Sequence, residues 1–589
     1  DEMHTLRGVY GSNCANVLAR LRRVLDRYMA RTQYILTSAT IGNPGQLARA
    51  LIGQDVEVVS DDGSPRRRKT FVFWNPPFLD EKVRVRKSAN SESSRVFTRL
   101  VENDVKTIVF SKSRQTAELI HKYADDRLKG RRARDSAFAD DPLIAPYRAG
   151  YLPEERRDIE ARFGDGRLRG VSSTNALELG LDIGGLDACV INGFPGTVSS
   201  FFQQAGRCGR SQVDSAVFFV GSGDPLDQHY LKHPRDLFGQ PHEDALVDPG
   251  NESILDSHLV CAAYEFPLAA RDRRYFGTGL EDRCSTLADS GQLVHREGRW
   301  FYKPRSEDRF PAANINIRSA SQRLFSIIDA ASGALMGTID HANAFFYVHP
   351  GAIYLHQGQS YFVTELDLDR AVALVKPAAG DYYTQPRDLT DISVIETLHS
   401  SRLAGGRTFF GRVRVTTEVI GYQKKRVLTG ELLGEETLDL PPQDFQTEAF
   451  WFLISPGLVE ELELSERELA GGVHAAEHGA IAMLPFFAMC DRRDIGGVST
   501  PAHPETGQAT VFIYDGYQGG VGIAKRGYEI KDEYLLKTVR MIEDCDCDEG
   551  CPACVVSPKC GNFNEPLDKQ AAVRILTRIL AVNLARSNE

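Results

Sequence analysis

Thr107-Ile108-Val109-Phe110-Ser111-Lys112-Ser113-Arg114 reads as a buried strand that runs directly into a helix near Ser113–Lys122. A short apolar run without alternation suits a strand covered on both faces. Working outward, Gly170-Val171-Ser172-Ser173, Ala188-Cys189-Val190-Ile191 and Ala216-Val217-Phe218-Phe219-Val220 repeat the same character, with helical stretches between them. That alternation predicts a parallel α/β sheet across residues 76–235.

The flanks differ from this centre. Residues 1–75 hold an amphipathic helix, capped by Ser12 or Asn13, with Val17, Leu18, Leu21, Leu25 and Tyr28 at helical spacing. A short strand is expected at Tyr34–Thr37 and another at Thr70–Trp74, closed by Asn75-Pro76-Pro77 as a linker. Residues 236–310 combine a helix around Ser253–Phe266 with a helix, turn and β-ribbon over Leu287–Tyr302, the pattern of a winged helix. Residues 311–445 carry β-branched and aromatic runs (344–355, 360–363, 410–421), which predict a β-rich domain, with a barrel as one way to close it. Residues 446–589 return to helix, carry a cysteine cluster and end in a helix over Leu567–Leu584.

A chain of 589 residues with 42% hydrophobic content holds more apolar material than one core needs, so several domains are expected. The richest apolar stretch, Ile481–Met489, is too short to span a bilayer, and no signal-peptide pattern is present, so a cytoplasmic protein is expected. The net charge of −10 weighs against an overall basic nucleic-acid footprint. Charge is local, however, and Arg66, Arg67, Arg68, Lys69, Lys82, Arg84, Arg86 and Lys87 form a dense basic stretch. Of 11 cysteines, five lie between Cys545 and Cys560, and such crowding in a large chain points to metal rather than disulfides.

Five short strings carry the chemistry. They are Asp1-Glu2-Met3-His4; Thr37-Ser38-Ala39-Thr40; Val109-Phe110-Ser111-Lys112-Ser113-Arg114; Ser173-Thr174 through Gly180, Asp182 and Gly184; and Gln203-Gln204-Ala205-Gly206-Arg207-Cys208-Gly209-Arg210. Each alone is weak, but their order and spacing resemble motifs II to VI of DEAD/DEAH-type superfamily 2 helicases, whose motor is built from RecA-like lobes. Hydrolysis of a nucleotide needs a Mg²⁺ holder, a carboxylate that positions water, and positive charge for the transition state. The resemblance implies that Asp1 holds Mg²⁺ of ATP, Glu2 positions the water, and His4 couples the site to motif VI. It makes Arg207 and Arg210 arginine fingers, suited to phosphate by their forked guanidinium groups. Gly180, Asp182 and Gln203 would contact nucleotide. Thr37, Ser38, Thr40, Ser111, Arg114 and Thr174 would follow the nucleic-acid backbone, touching phosphates rather than bases.

A phosphate loop, G-x-x-x-x-G-K-[ST], occurs nowhere in the chain. Residue 1 is aspartate and the motif pattern begins at once, so sequence upstream is expected, and residues 1–75 read as the end of a first RecA-like lobe with 76–235 as the second. The chain alone is therefore expected not to hydrolyse ATP.

In Cys545-Asp546-Cys547-Asp548-Glu549-Gly550-Cys551-Pro552-Ala553-Cys554, followed by Cys560, five thiols compete for four places around a closed, structural Zn²⁺. The reading prefers Cys547, Cys551, Cys554 and Cys560, because Cys545 and Cys547 would crowd one corner; an iron–sulfur cluster is the rival occupant. His474-Ala475-Ala476-Glu477-His478 has the form of a metalloprotease motif, but the residues that follow offer no third ligand. It is expected instead to anchor the loop Asp491-Arg492-Arg493-Asp494.

The strings 474–478, 490–497, 513–520 and 560–569, taken with the opening Asp1-Glu2-Met3-His4-Thr5-Leu6-Arg7-Gly8, are similar to the MrfA (YprA-like) bacterial helicases over nearly the whole chain. That resemblance implies ATP-dependent 3′→5′ movement on DNA, repair of mitomycin-type damage and a C-terminal zinc-binding domain. It implies as partners DNA with a single-stranded 3′ tail and a repair nuclease, and a place on the bacterial nucleoid. Two other readings stay open: a non-catalytic DNA-binding scaffold beside a separate ATPase, and an RNA helicase, since these motifs do not read the 2′-hydroxyl.

Overall fold

The computed structural model describes the chain apart from residues 40, 62, 64–67, 81–84, 133–142, 148–152, 179–184, 210–213, 240–242, 305–309, 319–322, 357–358, 379–381, 404, 427–430, 493, 559 and 582–589. Its centre is a six-stranded, all-parallel sheet. In chain order the strands are β1 (Lys69–Trp74), β2 (Thr107–Ser111), β3 (Ile144–Tyr147), β4 (Gly170–Ser173), β5 (Ala188–Asn192) and β6 (Ser215–Val220). Their spatial order is β1-β6-β5-β2-β4-β3. Every residue of β2, β4 and β5 is buried, as strands covered by helices on both faces must be.

β1 is a correction to the expected boundary at residue 75. It pairs in parallel with β6 and so forms the edge of the second-lobe sheet. Aromatic packing explains this: Phe71 stacks on Phe201 and meets Phe238 edge-on, and Phe73 meets Phe219. The expected strand at Tyr34–Thr37 does not form. The segment makes one backbone bond to the motif II turn, Met3 N–H to the Thr37 carbonyl at 2.8 Å, and has no strand partner among the described residues. The first helix begins earlier than expected, at Gly8, and runs to Arg27. Ser12 and Asn13 are therefore interior, and their side chains bond the carbonyls of Gly8 and Val9 one turn back.

Helices Glu252–Glu265 and Leu280–Asp289 precede the ribbon Leu293–Arg296/Arg299–Tyr302, and Leu268–Ala269 adds a third strand. The wing turns at Glu297-Gly298, both at positive φ (49° and 69°), as a two-residue hairpin of the right twist requires. This winged helix packs on the first helix, where Arg23 donates to the carbonyls of Ala262 and Phe266.

The β-rich region forms two sheets rather than a barrel among the described residues. The larger is built on a long hairpin, Tyr382–Leu403 with Gly406–Arg426, and continues through Gln443–Ile454 into Ala509–Asp515 and Ile495–Thr500. The expected boundary at 445 thus falls inside a strand. Part of the expected 344–355 β run is a helix, His341–Tyr347, because Asp340 caps it by accepting the Asn343 N–H.

The last 140 or so residues surround helix Glu466–Met483, which opens with a Ser465/Glu468 capping box. Gly471 and Gly472 let this helix approach Leu567–Ala571 so closely that an added methyl would clash with both segments. The region packs directly on the motor: Tyr230 stacks on Phe486, and Lys537 bonds Asp236 at 2.8 Å. Of the basic stretch noted above, Arg66, Arg67, Lys82 and Arg84 lie outside the described residues; Lys69 donates to the Ala205 carbonyl and Arg86 to that of Pro76. No helix among the described residues is long and apolar enough to cross a membrane.

Candidate nucleotide-facing junction and metal centre

Motif II lies in a tight turn at the start of the chain. Asp1 accepts hydrogen bonds from the Glu2 N–H and the Thr37 hydroxyl. Glu2 sits in the left-handed region at φ 54°, a conformation that costs a non-glycine residue about 1–2 kcal/mol. His4 is buried, and burial holds its imidazole below the ordinary pKa, against the pull of the Glu2 carboxylate 3.5 Å away. The neutral ring has one acceptor nitrogen. The Ala39 N–H stands 3.2 Å from Nδ1, with the Ser38 hydroxyl at 3.3 Å.

Nε2 faces the Gln203 side-chain NH2 at 2.8 Å, a second donor, so the tautomer of the ring decides which of the two it accepts from; the same NH2 lies 3.5 Å from the Glu2 carboxylate. Gln203 stands on helix Val198–Ala205, whose first turn is capped by the Thr197 hydroxyl. Motifs II, III and VI therefore meet at one polar junction. Arg207, just beyond that helix, is buried and turned back on the Glu178 carbonyl, to which Nε donates at 2.9 Å. Glu178 is itself fixed by Ser200 and Gln204. Gly180, Asp182, Arg210 and Thr40 lie outside the described residues, as does the side chain of Arg114.

Ser111 and Thr174 sit one step past the last registered pair of β2 and β4, Phe110 with Ser173. This is the carboxyl edge of a parallel sheet, where ligands of such folds bind. The Ser111 hydroxyl has no partner among the described residues, and Thr174 caps the turn Asn175–Leu177. The hydroxyls of Thr37 and Ser38 are turned to motif II.

At the other end, Cys545, Cys547, Cys551 and Cys554 bring their sulfurs within 4.8 Å of one another. Neighbouring pairs stand at 3.6 Å (545–547), 3.4 Å (545–551), 3.5 Å (547–554) and 3.9 Å (551–554). A tetrahedron of sulfurs about 2.3 Å from Zn²⁺ has edges of about 3.8 Å, so the set fits a closed, structural zinc. The Cys551 N–H donates to the Cys554 sulfur, and hydrogen bonds from Cys547 and then Cys551 pull the Cys545 thiol far down toward thiolate.

This corrects the expected ligand set. Cys545 is a member and Cys560 is not: the Cys560 sulfur lies 3.4 Å from His474 Nε2 instead. Cys545 and Cys547 do not crowd one corner, because the Cys-x-Cys turn sets their sulfurs one tetrahedron edge apart, at 3.6 Å. Sequence reading also missed Lys569. Its buried ammonium donates to the carbonyls of both Cys545 and Cys547, at 2.6 Å for the latter, and so fixes the loop that carries them. A lone lysine at a helix start carries no signal of such a role.

Comparison with known proteins agrees with this layout. Residues 476–555 match the MrfA Zn-binding domain, a span that includes Cys545 through Cys554 and stops short of Cys560. Residues 247–320 match the winged helix domain of the ATP-dependent helicase HRQ1, and 92–212 the helicase conserved C-terminal domain. The chain is 36% identical over 559 residues to the uncharacterized ATP-dependent helicase YprA of Bacillus subtilis, covering 94% of this chain and 73% of that one. The crystal structure of the DUF1998 helicase MrfA bound to DNA superposes with a TM-score of 0.66 at 34% identity, over 98% of this chain and 75% of that one.

The chain belongs to the MrfA/YprA-like helicase family. It is also 33% identical to the ATP-dependent helicase hrq1 of Schizosaccharomyces pombe, of which it spans 56%. Within the MrfA/YprA-like architecture, the zinc loop rests on the motor: Lys232 donates to the Asp544 carbonyl, and His233 meets the Asp544 carboxylate at 3.2 Å. The Cys545–Cys554 loop therefore rests on helix Pro225–Lys232, just after the carboxyl end of β6 in the second RecA-like lobe.

Proposed function

We propose that this chain is the nucleic-acid-tracking and coupling portion of an ATP-driven superfamily 2 DNA translocase. The observation that carries the reading is the His4–Gln203 contact, which joins the turn bearing Asp1 and Glu2 to the helix that leads to Arg207. In that reading ATP with Mg²⁺ is held from Asp1, and Arg207 leaves the Glu178 carbonyl to meet phosphate when nucleotide arrives; Arg210, Gly180, Asp182 and Gln203 complete the site. Ser111, Thr174 and Arg114, together with Thr37, Ser38 and Thr40, contact backbone phosphates of the strand. Cys545, Cys547, Cys551 and Cys554 hold a structural zinc. DNA is preferred over RNA because the MrfA structure that superposes was solved with DNA. Movement 3′→5′ from a single-stranded tail, a repair role against mitomycin-type lesions, a nuclease partner and a nucleoid location follow from family resemblance.

The chain contains no phosphate loop, so this polypeptide by itself binds DNA and does not turn over ATP. Two measurements test the reading. Fluorescence anisotropy should show tighter binding to a 3′-tailed DNA duplex than to the same duplex with a 5′ tail or to its RNA equivalent, and weaker binding after Thr174→Val. Equal affinity for RNA would overturn the DNA assignment. DNA-stimulated ATP hydrolysis by this polypeptide would overturn the coupling role and point to a phosphate site of another kind.

A further inference from the structure

His474 and His478 lie one turn apart on helix Glu466–Met483, with ring centroids 4.4 Å apart. They do not anchor the 491–494 loop, as the sequence suggested. His474 Nδ1 stands 2.8 Å from the Pro566 carbonyl and His478 Nδ1 2.7 Å from that of Val555. A carbonyl oxygen only accepts, so each Nδ1 is the protonated donor and each Nε2 presents a lone pair. Fixing the remote nitrogen on a backbone carbonyl is how proteins orient metal-ligating imidazoles.

The third ligand that the sequence lacks nearby comes from the other side of the zinc loop. The Cys560 sulfur is 3.4 Å from His474 Nε2, and one ligand atom from each of the three residues lies within 4.8 Å of the others. A nitrogen and a sulfur on one tetrahedral zinc stand about 3.6 Å apart. The Asn564 N–H donates to the Cys560 sulfur at 3.2 Å, and the Asn564 side chain ties the loop back to Ser557 by two further bonds. All three ligands line a cavity of about 390 Å³ that also takes in Asp388, Glu477 and Arg492.

We propose that His474 Nε2, His478 Nε2 and Cys560 Sγ form a second metal site for a zinc-class divalent cation, with its fourth position open to this cavity. Three protein ligands plus an exchangeable fourth is the arrangement of a reactive or ligand-binding zinc rather than a structural one. The fourth ligand is water or a small anion. Arg492, whose Nε has no partner among the described residues, supplies positive charge on the same wall. One thiolate and two neutral imidazoles leave a bound dication with net positive charge, and Asp388 and Glu477 are the carboxyl groups of the cavity wall.

The test is metal content of the full chain by mass spectrometry after equilibration with zinc and gel filtration. Two zinc ions per chain are expected, falling to one in Cys560→Ser and in His478→Gln while the far-UV spectrum is unchanged. Because either variant could misfold, a second measurement uses the unaltered chain. Mild chelation should remove one ion first, and cobalt refilling should give a thiolate–cobalt band near a quarter of the intensity of the four-thiolate site. One ion per chain in the unaltered protein would overturn the proposal. So would two ions that persist in both variants, or a refilled site with the intensity of four thiolates.

Discussion

The four sulfurs of Cys545–Cys554 lie within ten residues of one another, whereas His4 and Gln203 meet across 199 residues of sequence. The difference extends to chemistry. The zinc loop gathers four sulfurs at the spacing of one metal and is closed by a buried ammonium. The motor junction is closed by a few single hydrogen bonds among the buried His4, Gln203 and the Asp1 and Glu2 carboxylates. A site that must open and reclose around nucleotide is served by contacts worth about 1 kcal/mol each. A brace that must not move is served by contacts an order of magnitude stronger. The molecule separates the two, and perturbing each end should show how far.

The largest effect is expected at the sulfur cluster. Binding of structural Zn²⁺ is worth on the order of 10 kcal/mol, comparable to the whole stability of a domain. Cys554→Ser should therefore abolish the cooperative unfolding of the tail and release its zinc, whereas Cys560→Ser should leave that transition in place. Calorimetry paired with zinc analysis checks this. A Cys554→Ser chain that keeps its zinc and its transition would erase the contrast between the two ends.

Next comes Lys569. It is buried at the first turn of a helix, where the dipole disfavours a cation, and the carbonyls of Cys545 and Cys547 compensate. Lys569→Met leaves both carbonyls bare, at a cost of about 2–3 kcal/mol, and should speed zinc loss to a chelator about 10–100-fold. A release rate within twofold of the unaltered chain would show that the loop holds its shape without the ammonium.

A buried contact between the first helix and the winged helix should respond to pH. His258, on helix Glu252–Glu265, bonds Asn13 of the first helix at 3.0 Å. Burial, with help from Arg20, holds its pKa down to about 3. The folded state keeps His258 neutral while the unfolded chain takes up a proton below about 6.5. The unfolded state then binds more protons, so stability is complete above pH 6.5 and falls as pH drops toward 3, by up to about 1.4 kcal/mol per unit. His258→Gln should flatten that slope in urea titrations between pH 6.5 and 4.5; an unchanged slope would assign it to other groups.

What was legible in the sequence follows the same division. The parallel sheet could be read because β2, β4 and β5 are buried on both faces, which forces continuous apolar runs. β1 was assigned to the wrong lobe because pairing with β6 depends on Phe201 and Phe238, far away in sequence. At the metal end the residue type was legible and the partners were not. Spacing alone does not show which way a Cys-x-Cys turn points its sulfurs, or that Cys560 crosses to a helix 86 residues earlier. Lys569 was invisible because a structural role through two carbonyls leaves no motif.

The smallest effect is expected at the His4–Gln203 contact, and it decides whether the junction couples anything. The Ala39 N–H and the Gln203 side-chain NH2 both only donate, so the neutral His4 ring accepts from one or the other, at Nδ1 or at Nε2, and its tautomer links the motif III backbone to motif VI. In a double-mutant cycle of His4→Ala and Gln203→Ala, the interaction energy from unfolding should be about 1 kcal/mol. Removing Ala39's acceptor by His4→Ala should also leave that N–H unpaired, so the single His4 variant should lose more stability than the single Gln203 variant. Strict additivity of the two changes would mean that the two side chains merely stand near each other. The junction would then carry no signal between the turn that holds Asp1 and the helix that leads to Arg207.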